Sequence, residues 1–164
     1  MKAKRIAYLG LLTALAMILS FVESQIPAFV AIPGIKMGLP NIAIVFVLHK
    51  LGGKYAIAIS AVRVFLVSLL FGNLQAFTFS MAGALLSMLG MILLKKTNWF
   101  SVITVSIVGG ILHNVGQIAA ACIWTNTAEI ALYLPVLLIS GLVTGGLIGL
   151  AAGLLVKRFD NWKI

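Results

Sequence analysis

The chain has 164 residues, of which 62 % are hydrophobic and only 9 % are charged, and its formal net charge is +9. Soluble domains are about half apolar and about a quarter charged, so this chain has too little polar surface to cover itself in water. A nucleic-acid-binding protein would need its cations on a folded soluble surface, which this composition excludes. We therefore predict an integral membrane protein.

Apolar segments follow one another along the whole chain. A helix needs about 20 such residues to cross a hydrocarbon layer of about 30 Å. We expect an all-α membrane protein with six transmembrane helices in one bundle and one domain. The predicted helices cover about residues 5–23, 40–51, 55–71, 75–94, 99–124 and 130–156. The second would rise only about 18 Å, so it either begins earlier or starts inside a cavity.

The positions of the cations indicate the orientation of the chain. With six spans, ten cations fall on one side of the membrane and Lys36 alone falls on the other. The ten are Lys2, Lys4, Arg5, Lys50, Lys54, Lys95, Lys96, Lys157, Arg158 and Lys163. Positive charge is retained in the cytoplasm. We expect a multi-pass protein of the cell membrane with both termini cytoplasmic.

The first helix carries four small residues along one face, Ala3, Ala7, Gly10 and Ala14. Their spacing of three and four residues places them on the same side of a helix. Such faces let a second helix come close in lipid. The sequence leaves open whether that second helix belongs to this chain or to a partner.

The segment "ESQIPAFVAIPGIKMGLPN", residues 23–41, joins the first two helices. Its prolines prevent a continuous helix, yet it is too apolar for a solvated loop. We expect this Pro- and Gly-rich external segment to fold over the mouth of the bundle. Lys36 and Asn41 would then close over a bound molecule.

Polar side chains inside the predicted helices are the candidate binding residues. Arg63 lies near the middle of the third helix, where a charge costs at least ~2.5 kcal/mol, so it should face a ligand or backbone carbonyl groups. In "HNVGQ", His113, Asn114 and Gln117 share one helix face. They would bond either a ligand or the neighbouring helices. The predicted ligand contacts are Arg63, His113, Asn114, Gln117, Lys36 and Asn41.

Several chemistries are excluded by missing residues. The sequence has no GxxxxGK[ST] loop, so the chain does not hydrolyse ATP by itself. Two His and one Cys, far apart, make no metal site. Three carboxylates cannot supply both an acid–base pair and a cage for magnesium and diphosphate. We expect no catalysis and no cofactor, which leaves binding and translocation.

Five blocks carry a resemblance to a known family. They are "PGIKMGLPNI" (33–42), "VRVFLVSLLFGN" (62–73), "SMAGALLSMLGM" (80–91), "HNVGQ" (113–117) and "YLPVLLISGLVTG" (133–145). Together they resemble the Gx transporter family, also labelled heptaprenyl diphosphate synthase component I. Such proteins look like the S components of energy-coupling factor transporters, which bind substrate with six helices. The resemblance covers nearly the whole chain.

The resemblance also implies partners, namely a transmembrane coupling protein and a pair of ATPases. The contact with the coupling protein would be the small face of the first helix, although Gly10 stands where the usual form of that face has alanine. The synthase label disagrees with the scarcity of acids, because prenyl diphosphate chemistry needs aspartate-rich magnesium sites.

Three functions remain open. The leading hypothesis is an S component-like subunit that captures a small vitamin-like or isoprenoid-related molecule from outside, within the membrane lipid. The alternatives are a non-catalytic membrane subunit associated with prenyl diphosphate synthesis, which would hold a lipid chain, and a stand-alone carrier. The carrier is disfavoured because the sequence shows no acid inside a span for proton coupling.

Overall fold

Long apolar segments in lipid leave the backbone no hydrogen-bond partner except itself, and this chain accordingly forms helices. The computed structural model describes residues 2–25 and 37–160. These residues contain helices and no strand, so the prediction of an all-α protein is confirmed. The helices are α1 (Lys2–Gln25), α2 (Asn41–Lys50), α3 (Gly53–Phe71), α4 (Leu74–Thr97), α5 (Val102–Thr125), a 3-10 helix (Ala128–Tyr133) and α6 (Leu134–Arg158). Lys36 and most of the Pro-rich segment lie outside the described residues.

Five of these helices are long and apolar enough to cross a membrane, which supports a membrane helical bundle. They are α1, α3, α4, α5 and α6, the last taken together with the 3-10 helix. Helix α2 has only 10 residues, or about 15 Å of rise.

Local capping residues set where two of the helices begin. The side chain of Asn73 accepts a hydrogen bond from the backbone N–H of Ala76 at the start of α4. Ser101 does the same for Thr104, so α5 begins at residue 102 rather than at the predicted 99. Helix α6 begins at residue 134 rather than 130, because the residues before it form the 3-10 helix and Pro135 lies in its first turn.

Helix α2 is the most enclosed element of the bundle. Its residues 43–48 are all buried, and it packs against α1, α3 and α6. At its C-terminal end, Lys95 donates from Nζ to the carbonyl oxygen of Leu48, and Lys50 pairs with Asp160 at 3.2 Å. We call this the basic end of the bundle, and the opposite end the distal end.

The other end of α2 lies deep within the bundle. A Cβ atom on Gly38, just before α2, would lie 3.8 Å from Cγ1 of Ile148. Ile148 precedes the end of α6, Arg158, by ten residues, which corresponds to about 15 Å. The start of α2 therefore lies about 15 Å along the bundle from the end of α6.

Glycines bring α5 and α6 into direct backbone contact. A Cβ on Gly145 would lie 2.8 Å from Cα of Ile107, and one on Gly149 would lie 2.7 Å from Cα of Ile103. Small residues permit this approach, which in lipid is a main source of helix association. The same kind of contact joins α4 to α5, where a Cβ on Gly116 would lie 2.7 Å from the carbonyl oxygen of Ala82.

Candidate functional site

A cavity of about 340 Å³ lies at the distal end of the bundle, between α4, α5, the 3-10 helix and α6. We call it the distal cavity. It is lined by Gln75, Phe79, Gln117, Ile118, Ala121, Thr125, Ile130, Tyr133 and Leu137. Its volume is within the range of small-molecule sites, which is about 300–1,000 Å³.

Among the described residues, the lining of the distal cavity is apolar with a few polar groups and no charged side chain. Gln75 and Gln117 supply amide groups, and Thr125 and Tyr133 supply hydroxyl groups. The Thr125 hydroxyl already donates to the carbonyl oxygen of Ala121, at 2.9 Å. Apolar walls with a few polar groups are typical of sites that hold a small molecule with an apolar body and an uncharged polar end.

The three polar residues of "HNVGQ" have different neighbours. Gln117 lines the distal cavity. Asn114 donates from Nδ2 to the carbonyl oxygen of Leu137 in α6, which leaves its Oδ1 as an acceptor. His113 lies against α4, where a Cβ on Gly83 would lie 3.0 Å from its Cε1, and its side chain is engaged within the protein. The shared helix face therefore meets α4, where His113 and Gln117 both lie against Gly83, as well as α6 and the distal cavity.

A second polar group lies where α1, α2 and α3 meet. We call it the Arg63 cluster: Arg63, Asn41, Glu23 and Gly38. The Arg63 guanidinium donates from Nη2 to Oδ1 of Asn41, at 3.5 Å. The Glu23 carboxylate accepts from the backbone N–H of Gly38 and acts electrostatically on Arg63. No hydrogen bond from Arg63 to a backbone carbonyl group is present among the described residues.

The Arg63 cluster and the distal cavity share no residue, because one is built from α1 to α3 and the other from α4 to α6. The sequence predicts one pocket for the candidate contacts, whereas the described residues form two polar regions. Lys36 lies outside them. Gln75, Thr125 and Tyr133 are absent from the predicted set. Gln75 and Thr125 stand in segments that the sequence predicts as external turns, and Tyr133 stands in a predicted apolar helix.

The small face of α1 is not used for packing in the described part of the chain. Ala3, Ala7, Gly10 and Ala14 are all exposed, and a Cβ on Gly10 would meet no atom within 4 Å. The sequence leaves open whether this face packs within the chain or against a partner. Packing within the chain is not observed among the described residues.

A second groove, of about 270 Å³, runs along the outside of the bundle between α1, α2 and α6. Its lining is apolar from Tyr8 and Phe159 at the basic end to Leu19 and Ile42.

Within residues 2–25 and 37–160, no group of three His, Cys, Asp or Glu side chains is placed to hold a metal ion.

Comparison with known families identifies the chain. The sequence model of the family heptaprenyl diphosphate synthase component I matches residues 12–155, which is most of the chain. No curated protein and no solved structure matches it. The predicted family is confirmed: this chain belongs to the heptaprenyl diphosphate synthase component I family.

Proposed function

We propose that this protein is a substrate-binding membrane subunit, similar to an S component, that captures a small molecule from outside the cell. The observation that carries the proposal is the distal cavity, which is large enough for a small ligand and has polar groups on apolar walls. A vitamin-like or isoprenoid-related molecule has the matching form, an apolar body with a small polar end. The role is binding and not catalysis.

The proposal needs the distal cavity to face the outside. The concentration of lysine and arginine at the basic end supports a cytoplasmic position for that end and for both termini. Helix α2 is short, and its last turn lies at the basic end. If it is counted with the five long helices, six helices contribute to the bundle. The protein would then be a multi-pass component of the cell membrane.

The polar residues have separate roles in this proposal. Gln117 makes the main polar contact with the ligand from the cavity wall, and Asn114 contributes its remaining acceptor while it holds α6 in place. His113 supports the wall from the contact between α4 and α5. Arg63, Asn41 and Lys36, from the first half of the chain, are proposed as ligand contacts apart from the distal cavity.

The small face of α1 is the proposed contact for a transmembrane coupling protein, which would bring a pair of ATPases. Its exposure supports this role, because a partner helix reaches it without unpacking the bundle. Gly10→Leu and Ala7→Leu should prevent complex formation and leave ligand binding and thermal stability unchanged. A loss of ligand binding in either variant would contradict the assignment, because it would place the face inside the binding domain.

The second candidate is a non-catalytic membrane subunit associated with prenyl diphosphate synthesis. Family membership and the apolar groove between α1, α2 and α6 favour it, because such a groove suits a hydrocarbon chain. A stand-alone carrier is the third. It has less support, because Glu129 is exposed in the 3-10 helix and the Glu23 carboxylate, near the end of α1, is bonded to the backbone N–H of Gly38.

Affinity purification from native membranes in mild detergent separates these candidates. Recovery of a coupling protein with two ATPases supports the first, recovery of an aspartate-rich soluble synthase supports the second, and recovery of the chain alone supports the third. Native mass spectrometry of the same sample should show a small molecule bound to the wild-type chain. The bound fraction should fall in Gln117→Ala and stay unchanged in Gln25→Ala, which alters an exposed glutamine outside the cavity.

A further inference from the structure

Arg63 is half-buried, and its guanidinium has few hydrogen-bond partners among the described residues. It carries five N–H donors, and its only side-chain bond among the described residues is the one from Nη2 to Asn41. At 3.5 Å this bond is at the long limit for a hydrogen bond. The Nε atom is buried and has no hydrogen-bond partner in the part of the chain that the structure describes. Buried polar groups are almost always bonded, so an exception indicates a partner that binds from elsewhere.

No carboxylate of the described chain is placed to satisfy Arg63. The sequence has three acids. Glu23 is the nearest, but its carboxylate is bonded to the backbone N–H of Gly38 and makes no ion pair with Arg63. Asp160 pairs with Lys50 at the basic end, and Glu129 is exposed in the 3-10 helix. The cation therefore has an opposite charge nearby but no direct partner.

The groups around Arg63 favour an anion with a single negative charge over one with a higher charge. A guanidinium presents paired N–H groups whose geometry matches the two oxygens of a carboxylate or phosphate. Asn41 accepts from Arg63 with Oδ1, which leaves its Nδ2 as a second donor. Glu23 is close enough to act on Arg63 and would repel an anion, the more so the higher its charge.

We propose that the Arg63 cluster is an anion site, in which Arg63 and Asn41 bind a singly charged oxyanion, namely a carboxylate group of a small organic molecule. The site lies beside the start of α2 and is separate from the distal cavity. It stands whether or not the distal cavity binds the molecule proposed above.

The test measures thermal unfolding of the purified full chain in lipid nanodiscs with matched small probes. Benzoate should raise the melting temperature in a saturable manner, and benzamide, which has the same shape and no charge, should not. Methyl phosphate, with its higher charge, should act more weakly than benzoate. Equal effects of benzoate and benzamide would overturn the proposal, and a stronger effect of methyl phosphate would overturn the carboxylate assignment.

Variants place the effect at Arg63. Arg63→Met should reduce the apparent affinity for benzoate by roughly ten- to a hundredfold, the range for a charge-assisted hydrogen bond. Lys54→Met, which removes an exposed cation from the same helix, should leave it unchanged. An unchanged response in Arg63→Met would overturn the proposal.

Asn41→Asp decides the question even if Arg63→Met fails to fold. It places a carboxylate of the chain itself next to Arg63, so it should raise the melting temperature without any probe and remove the response to benzoate. Asn73→Asp adds the same charge at an exposed helix cap and should do neither. A lower melting temperature or a retained benzoate response in Asn41→Asp would overturn the proposal.

Discussion

The Asn114 side chain donates a hydrogen bond from Nδ2 to the carbonyl oxygen of Leu137, and so joins the middle of α5 to the first turn of α6. One helical turn further along α5, Gln117 lines the distal cavity. Leu137 lines the same cavity, so the bond fixes one wall of it. Structural support and ligand contact are therefore divided between two residues of the same face.

This division predicts different effects for Asn114→Ala and Gln117→Ala. The first should lower the free energy of unfolding by about 1 kcal/mol, as the loss of an interhelical hydrogen bond in a membrane does. The second should leave stability nearly unchanged and weaken binding of the co-purified molecule by about tenfold, the loss of one hydrogen bond to it. Thermal unfolding and native mass spectrometry measure the two effects. Unchanged ligand binding in both variants would mean that these residues only hold the helices together.

The contact between α5 and α6 predicts that substitution by alanine affects the stability of the protein differently at two neighbouring glycines. In Gly145→Ala the new Cβ would lie 2.8 Å from Cα of Ile107, and backbone cannot move aside cheaply. We expect a loss of about 1–3 kcal/mol in the free energy of unfolding. In Gly146→Ala the nearest atoms are 4.0 Å away on a side chain. That variant should be as stable as the wild type, or more stable by about 0.5 kcal/mol.

Thermal unfolding of the two glycine variants in the same detergent checks this prediction. Equal gain of stability in both would mean that helix propensity, and not the approach of the two backbones, controls the effect. Equal retention would mean that α5 and α6 separate easily at this point.

Lys95 and Lys96 provide a matched pair at the end of α4. Lys95 donates to the carbonyl oxygens of Leu48 and His49, which the last turn of α2 leaves without helical partners. Lys95→Met should lower the free energy of unfolding by about 1–3 kcal/mol, because it leaves partly buried acceptors unpaired. Lys96 is exposed, so Lys96→Met should change stability by less than about 0.5 kcal/mol. Chemical unfolding of both variants tests this, and equal stability would contradict the role of Lys95.

Much of the secondary structure could be predicted from the sequence. Hydrocarbon offers no hydrogen bonds, so a long apolar segment has to form a helix wherever it is placed. Helix ends near Asn73 and Ser101 follow from local capping and need no tertiary contact. Gly141, Gly145, Gly149 and Gly153 stand four residues apart in α6, and this spacing predicts a close helix contact, which α5 provides.

The assignment of polar residues to sites could not be predicted in the same way. Helical spacing places His113, Asn114 and Gln117 on one face, but that face meets α4, α6 and a cavity at the same time. Likewise, depth along α3 places Arg63 near the membrane centre without naming the helices that surround it. Each side chain's partner depends on the rotation and offset of neighbouring helices.

Sequence by itself therefore determined the class of protein, its apolar helices and its family, since these depend on composition and local pattern. Tertiary structure decided that short α2 is enclosed by α1, α3 and α6 and that the Arg63 cluster is separate from the distal cavity. The physical reason is that lipid is as apolar as the protein core, so hydrophobicity does not distinguish a buried helix face from an exposed one. Backbone contacts between glycines and a few interhelical hydrogen bonds supply that distinction, and they form only when the helices are packed.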